Sequence, residues 1–187
     1  AMGKVMRDHS IHTAMKDQIA MLASNRKENS VIPDMNILEN MYLSEQVLSA
    51  RHPFISIGKE RKRYERYKEM LSVKAEDPDD PITSLSGGNQ QKVLLAKWMF
   101  AEPDILILDE PTRGIDVGAK YEIYCIINDL VAAGKSVIMI SSELPEVLGM
   151  SDRIYIMNEG KFVGEVSKEE ATSELIMSKI VKSGKGA

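Results

Sequence analysis

The sequence predicts an α/β fold with a mostly parallel sheet and an added α-helical subdomain. Strand-like apolar runs alternate with amphipathic helices through the last hundred of the 187 residues. The run Ile105–Leu108 is apolar throughout and ends in Asp109, a pattern typical of a strand buried in a parallel sheet. Residues 35–73 instead carry apolar side chains at helical spacing. These observations place a helical insert before an α/β core.

The predicted elements follow one another in a regular order. A short strand near 3–6, a helix over 10–17 and a strand over 19–23 open the chain, and a strongly charged helix over 59–71 closes the helical insert. The later elements are a helix 89–100, the strand 105–108, a helix 118–133, a strand 136–141, a short helix 144–148, a hairpin of 154–157 and 162–166, and a helix 168–181. The predicted domains are 1–34, 35–83 and 84–187.

The helix over 118–133 has signals at both ends. Asp116 is placed to cap its start and Gly134 to end it. One apolar stripe along it is formed by Ile123, Ile127, Leu130 and Val131, which predicts a face packed on the core. Cys125 lies among these apolar neighbours, and we expect it to pack in the interior.

Composition and charge exclude several classes of protein. The net charge is −4, from 24 basic and 28 acidic residues, which argues against a general electrostatic grip on nucleic acid. No apolar stretch approaches the roughly 18 residues of a membrane span. The single cysteine excludes a disulfide framework and favours a reducing compartment.

Two adjacent carboxylates follow the predicted buried strand. Ligands of open α/β sheets bind at the carboxyl ends of strands, which is where Asp109 and Glu110 fall. One carboxylate can hold a magnesium ion while the other orients or deprotonates a water that attacks a phosphate. The alternative is a plain transition from strand to turn with solvated acids.

A Ser-Gly-Gly string precedes the helix over 89–100. Backbone N–H groups, the Ser86 hydroxyl and the positive end of the helix dipole can converge there on an anion such as phosphate. The alternative is an ordinary serine cap followed by two turn glycines.

The spacing of these motifs resembles the ATPase cassette of ABC transporters. The strings are LSGGNQQK at 85–92, ILDEPTRGIDVGAK at 107–120 and ISSELPE at 140–146. In detail they are similar to the second, C-terminal cassette of the tandem subunits that power import of ribose, galactosides and related sugars. The resemblance covers nearly the whole chain and implies a partial P-loop NTPase core.

The resemblance implies a role for each matching residue, with ATP and Mg²⁺ as cofactors. Asp109 would hold Mg²⁺ through water, and Glu110 would be the catalytic carboxylate. Asp116 would belong to a loop that crosses the seam between two cassettes. The signature motif, which closes over the γ-phosphate of ATP bound on the partner cassette, would be Ser86, Gly87, Gly88 and Asn89.

Two positions depart from the general pattern of the family. Ser142 stands where most cassettes have a histidine that contacts the γ-phosphate, and Ser24 stands where a glutamine usually senses magnesium. A serine supplies no positive charge. We therefore expect the ATP site built on this cassette's own face to be the weaker of the two in a pair.

The chain contains no Gly-x-x-x-x-Gly-Lys-Ser/Thr string between a strand and a helix. Gly134-Lys135-Ser136 does not complete one, because the position of its first glycine is Asp129. We expect this chain to be the C-terminal part of a cassette without the Walker A strand and helix. We also expect it to hydrolyse ATP poorly or not at all when isolated. Because its sheet would have a gap, we expect closure of that gap, strand exchange or self-association as a dimer.

The implied partners are the other cassette of the same subunit, the membrane permease and, indirectly, a periplasmic or extracellular sugar-binding protein. The implied location is peripheral, on the cytoplasmic face of the bacterial plasma membrane. Two alternatives stay open: a soluble ABC ATPase not linked to transport, and an interaction module that needs no nucleotide.

Overall fold

Three parallel strands form the sheet of the first part of the chain: β1 (Ile19–Leu22), β2 (Ile105–Asp109) and β3 (Ser136–Ile140), in the order β1-β2-β3. They belong to a computed structural model that describes residues 10–24, 30–48 and 56–184. Leu22 pairs with Leu108, and Asp109 pairs with Ile140, so the carboxyl ends of all three strands lie at one edge of the sheet. The prediction of an α/β fold with a parallel sheet is confirmed.

Five helices accompany this sheet in the described residues of the first unit, Ala1–Ile140. Most of the described residues between β1 and β2 are helical, as the sequence predicts, and α2 packs on α4 there. The helices are α1 (Ile11–Lys16), α2 (Ile37–Leu48), α3 (Ile57–Met70), α4 (Gly87–Met99) and α5 (Val117–Ala132).

The core of the first unit is formed by alternate residues of the central strand and by the inner faces of the helices. Leu106 and Leu108 of β2 are buried, while Ile105 and Ile107 between them are half-buried. The helices add Ile37 and Met41 of α2, Tyr64 of α3, Val93, Leu94 and Leu95 of α4, and Ile123, Ile126 and Ile127 of α5. This core holds the ends of β2, α4 and α5 in fixed places.

The predicted caps form. Ser86 caps α4 and Asp116 caps α5, each through a side-chain oxygen that accepts a backbone N–H three residues on. Gly134 follows the end of α5 at φ +86°, a conformation that glycine adopts without strain. The structure begins α4 at Gly87 and α5 at Val117, two residues and one residue earlier than the starts at 89 and 118 that the sequence predicts.

The second unit, Ser141–Ala187, contains a hairpin between two helices. Strands β4 (Arg153–Asn158) and β5 (Lys161–Ser167) are antiparallel and are joined by Glu159 and Gly160, both at positive φ. Helices α6 (Leu144–Met150) and α7 (Ser173–Gly184) flank them. The hairpin prediction is confirmed, whereas the last helix begins five residues later than expected.

Two side chains differ from expectation. Cys125 is exposed, so the prediction of an interior packing residue is wrong. The inward stripe of α5 is formed by Ile123, Ile126 and Ile127, and Cys125 lies off that stripe. Val131, which we expected on it, is 45% exposed.

Some predictions are not tested by the structure. The strand expected near 3–6 lies outside the described residues. The division into 1–34, 35–83 and 84–187 stays a prediction. Ile138 and Ile140 of β3 are exposed. Among the described residues, β3 pairs with one strand, β2. Self-association through such an edge also stays a prediction.

Candidate functional site

A small hydrogen-bond network holds the start of α4 in place. The Ser86 hydroxyl oxygen accepts the side-chain N–H of Asn89 at 3.0 Å and its backbone N–H at 3.5 Å. The Asn89 amide oxygen accepts the backbone N–H of Lys74 at 2.8 Å. Asn89 therefore joins the first turn of α4 to the segment that follows α3, and it fixes the orientation of the Ser86 hydroxyl.

A polar cleft of about 200 Å³ lies at this helix start. Four of the predicted binding residues line it together, although 28 residues of sequence separate Gly88 from Asp116. These four are Ser86, Gly88, Asn89 and Asp116, and the remaining lining residues are Lys74, Gly118, Ala119 and Glu122. Gly87 lies in the first turn of α4 and is not among the lining residues.

The other wall of the cleft is the start of α5. The Asp116 carboxylate accepts the backbone N–H of Ala119 at 2.9 Å, the ordinary geometry of a helix cap. Two helix N termini, those of α4 and α5, thus meet at one cleft. Each carries the positive end of a helix dipole, so the pair favours a negatively charged ligand.

Asp109 and Glu110 lie at the carboxyl end of β2 and are both half-buried. Glu110 has φ +49°, a left-handed conformation that costs a residue with a side chain about 1–2 kcal/mol. Its backbone N–H donates to the carbonyl of Ile140 at 2.8 Å, which anchors it to the end of β3. Strained residues of this kind are frequent at functional sites, where the surrounding structure holds them in place.

The remaining predicted residues are Ser24 and Ser142. Ser24 is half-buried, two residues beyond β1, and so lies at the same edge of the sheet as Asp109 and Glu110. Ser142 belongs to the second unit and is exposed. Beside it, the Ser141 hydroxyl donates to the Glu146 carboxylate and accepts the backbone N–H of Glu143.

The predicted residues therefore form two groups in the first unit. One is the cleft with Ser86, Gly88, Asn89 and Asp116, and the other is the sheet edge with Ser24, Asp109 and Glu110. Asp109 and Glu110 do not line the cleft.

Sequence reasoning missed two charged residues that support the cleft. Lys92 on α4 is buried, and its ammonium pairs with the Glu122 carboxylate of α5 at 2.6 Å. The sequence did contain a signal for the burial of Lys92. This lysine directly precedes the apolar run Val93–Ala96, and such a run predicts a buried helix face. Nothing in the spacing identified Glu122 as its partner.

The described residues contain neither a candidate metal cluster nor a candidate membrane span. No group of three or more His, Cys, Asp or Glu side chains is placed to hold a metal ion by itself. Among the described helices, none is both long enough and apolar enough to span a bilayer.

Comparison with solved structures supports the fold. An ATP-binding cassette of an ABC transporter superimposes with a TM-score of 0.74 at 22% identity, over 91% of this chain and 70% of that one. A dimeric bacterial ABC transporter cassette gives a TM-score of 0.70 at 24% identity, over 83% of this chain and 66% of that one.

Comparison of sequences identifies the family. The L-arabinose transport ATP-binding protein AraG of Geobacillus stearothermophilus is 51% identical, over 92% of this chain and 34% of that protein. The ribose import ATP-binding protein RbsA of Geobacillus kaustophilus is 48% identical, over 94% of this chain and 35% of that protein. The chain thus spans about a third of the length of these relatives. The profile of the ABC transporter family matches residues 1–113, and the chain belongs to that family.

Proposed function

We propose that this chain is part of the ATP-hydrolysing, energy-coupling subunit of an ABC-type sugar importer. The observation that carries the proposal is the shared cleft, in which Ser86, Gly88, Asn89 and Asp116 meet at two helix N termini. The relatives named for L-arabinose transport and ribose import support a sugar as the transported substrate.

In this proposal the cleft receives the γ-phosphate of an ATP molecule held by the other cassette. The Ser86 hydroxyl donates to a phosphate oxygen, and Gly87 and Gly88 allow the backbone to approach it closely. Gly88 is buried, and Asn89 holds the Ser86 side chain in position. Asp116 sets the start of α5 against this motif. ATP binding would thereby draw two cassettes together.

In this proposal, the residues that act on ATP bound to this cassette's own face are Asp109 and Glu110, at the carboxyl end of β2. Glu110 orients and deprotonates the water that attacks the γ-phosphate, and its backbone link to Ile140 keeps the carboxylate in place. Asp109 offers the hard oxygen donor that Mg²⁺ prefers, and this ion commonly binds one or two carboxylates, waters and substrate phosphates. When bound, Mg²⁺ neutralises charge on the phosphate oxygens.

Ser24 and Ser142 are expected to make the ATP site on this cassette's own face weaker than the other ATP site of the pair. The Ser142 hydroxyl does not supply the positive charge with which a histidine would stabilise the transferred phosphoryl group, and Ser24 lacks the amide with which a glutamine would sense magnesium. Replacing Ser142 with alanine in the full-length subunit is therefore expected to leave turnover within about twofold, whereas Ser142→His is expected to raise it. This part of the proposal fails if Ser142→Ala lowers turnover as much as Glu110→Gln does.

The partners follow from the family. The other cassette of the same subunit supplies the ATP that the cleft covers, and the helical region 35–83 docks on the membrane permease. A sugar-binding protein outside the cell delivers the substrate to that permease. The subunit is peripheral, on the cytoplasmic face of the bacterial plasma membrane.

The decisive experiment measures ATP turnover by the full-length subunit that contains this chain, assembled with its permease. Ser86→Ala and Glu110→Gln are each expected to lower turnover, the latter by about 100-fold or more at its own site. The control is Ser84→Ala, an exposed serine outside the cleft, which is expected to leave turnover unchanged. Wild-type turnover in both Ser86→Ala and Glu110→Gln would refute the proposal.

The 187-residue chain alone is expected not to hydrolyse ATP, since it has no Walker A string to hold the triphosphate. Purified chain mixed with Mg-ATP tests this point, with release of phosphate as the readout. Hydrolysis that Glu110→Gln abolishes would contradict it.

A further inference from the structure

The ion pair between Lys92 and Glu122 lies directly behind the cleft. The Lys92 side chain is 1% exposed, and its ammonium donates to the carbonyl of Ser72 at 2.8 Å as well as to Glu122 at 2.6 Å. The Glu122 side chain is 43% exposed and lines the cleft. One buried cation thus joins α4, α5 and Ser72, the second residue after the end of α3.

A second contact lies one turn away on the same helix faces. Gly88 precedes Lys92 by four residues on α4, and Ala119 precedes Glu122 by three on α5, so each pair shares one face of its helix. A Cβ at Gly88 would lie 2.6 Å from the Cβ of Ala119. The helices therefore touch at their starts, and the ion pair joins them one turn further along. We call this contact between α4 and α5 the helix seam.

The charge of Glu122 matters because of where it lies. A carboxylate in a cleft that receives phosphate repels the ligand unless a cation neutralises it. Lys92 is held out of solvent, so water screens its interaction with Glu122 much less than that of an exposed pair. A buried pair is in itself weak support for stability, which leaves position and charge balance as its contribution.

We propose that Lys92 is a positioning residue for the cleft: by neutralising Glu122, it lets the cleft accept the γ-phosphate of a nucleoside triphosphate. This inference rests on the proposed function, because it concerns the same cleft. It assigns an ATP-binding effect to two residues that do not belong to the Ser86–Asn89 motif.

The test is steady-state ATP hydrolysis by the full-length subunit with its permease, with KM and kcat measured separately. Lys92→Met keeps a long apolar stem but leaves the Glu122 charge uncompensated, and it is expected to raise KM about tenfold or more. Glu122→Gln breaks the same ion pair but removes the negative charge, and it is expected to leave KM unchanged or lower. The double variant is expected to return KM to within about threefold of wild type.

Two further variants separate this effect from loss of folding. Lys92→Arg keeps the charge and is expected to hold KM within about threefold. Lys135→Met removes a partly exposed cation, paired with Asp104 at 3.1 Å and not lining the cleft, and is expected to leave KM unchanged. Thermal unfolding of each variant shows whether any KM change merely follows stability.

The outcomes distinguish the inference from the proposed function. Equal increases in KM for Lys92→Met and Glu122→Gln, or no recovery in the double variant, would overturn the charge-balancing role. A wild-type KM in Lys92→Met would do the same. If Ser86→Ala in the same assay still lowers turnover, the proposed function stands and only this inference fails.

Discussion

A Cβ atom at Gly88 would lie 2.6 Å from the Cβ of Ala119, closer than two side-chain carbons approach each other in proteins. Only a glycine at position 88 allows α4 and α5 to meet in this way. The second glycine of the signature string therefore has a packing role in addition to its proposed place beside a phosphate.

Gly88→Ala is expected to lower the free energy of unfolding by about 1–3 kcal/mol, because the added methyl group overpacks the helix seam. Ala119→Gly in the same chain removes the opposing Cβ, and the double variant is expected to recover most of the loss. Urea unfolding of the single and double variants measures this. A double variant no more stable than Gly88→Ala would show that the seam is not the cause.

Asp116 is expected to stabilise α5 mainly as a cap. Asp116→Ala leaves the backbone N–H of Ala119 without its acceptor and should cost about 1 kcal/mol. Asp116→Asn retains an oxygen that can accept the same bond and should cost only a few tenths of that amount. Thermal unfolding compares the two, and an equal loss in both would mean that charge, rather than capping, is decisive.

Asn40 is expected to hold the segment before α2. It is fully buried, its side-chain oxygen accepts the Ile32 N–H at 2.9 Å, and its amide donates to the carbonyls of Ile32, Met35 and Asn36 at 3.0–3.2 Å. Asn40→Leu removes the side chain that makes these hydrogen bonds, and it should lower the free energy of unfolding by about 2–3 kcal/mol. Asn128→Leu, at an exposed position of α5, is the control and should change stability by less than about 0.5 kcal/mol. Denaturant unfolding of both variants decides the point.

Glu60 on α3 should make stability depend on pH. Burial, followed by the nearby Glu45 carboxylate, raises the pKa of Glu60 above its usual value, while Arg63 and Lys59 partly oppose the shift. A raised pKa means that the folded state binds the proton more tightly than the unfolded state. The stabilisation is therefore complete below the unfolded pKa and is lost as pH rises through the folded one.

Glu60→Gln removes this dependence and is expected to be more stable than wild type at pH 7. The difference should vanish or reverse below pH about 4, where the wild-type carboxyl is protonated. Denaturant unfolding at several pH values tests this, with the exposed Glu69→Gln on the same helix as the control. A constant difference between Glu60→Gln and wild type at all pH values would exclude the titration of Glu60.

Glu110 should show a conflict between function and stability. Its φ of +49° strains any residue with a Cβ, but asparagine adopts this conformation more readily than glutamate. Glu110→Asn is therefore expected to raise the free energy of unfolding by a few tenths to about 1 kcal/mol, whereas Glu110→Gln leaves it unchanged. Equal melting temperatures for the two variants would show that the strain is not released.

Local patterns in the sequence determined the order of strands and helices, the caps at Ser86 and Asp116, and the turn at Glu159 and Gly160. Each of these depends on a few neighbouring residues, whose backbone preferences do not need the rest of the fold. The motif strings also identified Asp109 and Glu110, because chemistry at a strand end needs particular residues at a fixed spacing.

Tertiary structure alone decided which residues meet across the chain. The contact of Gly88 with Ala119, the pairing of buried Lys92 with Glu122 and the exposure of Cys125 all depend on how α4 and α5 rotate against one another and against the sheet. That rotation results from packing the whole core at once, so no local window of sequence contains it.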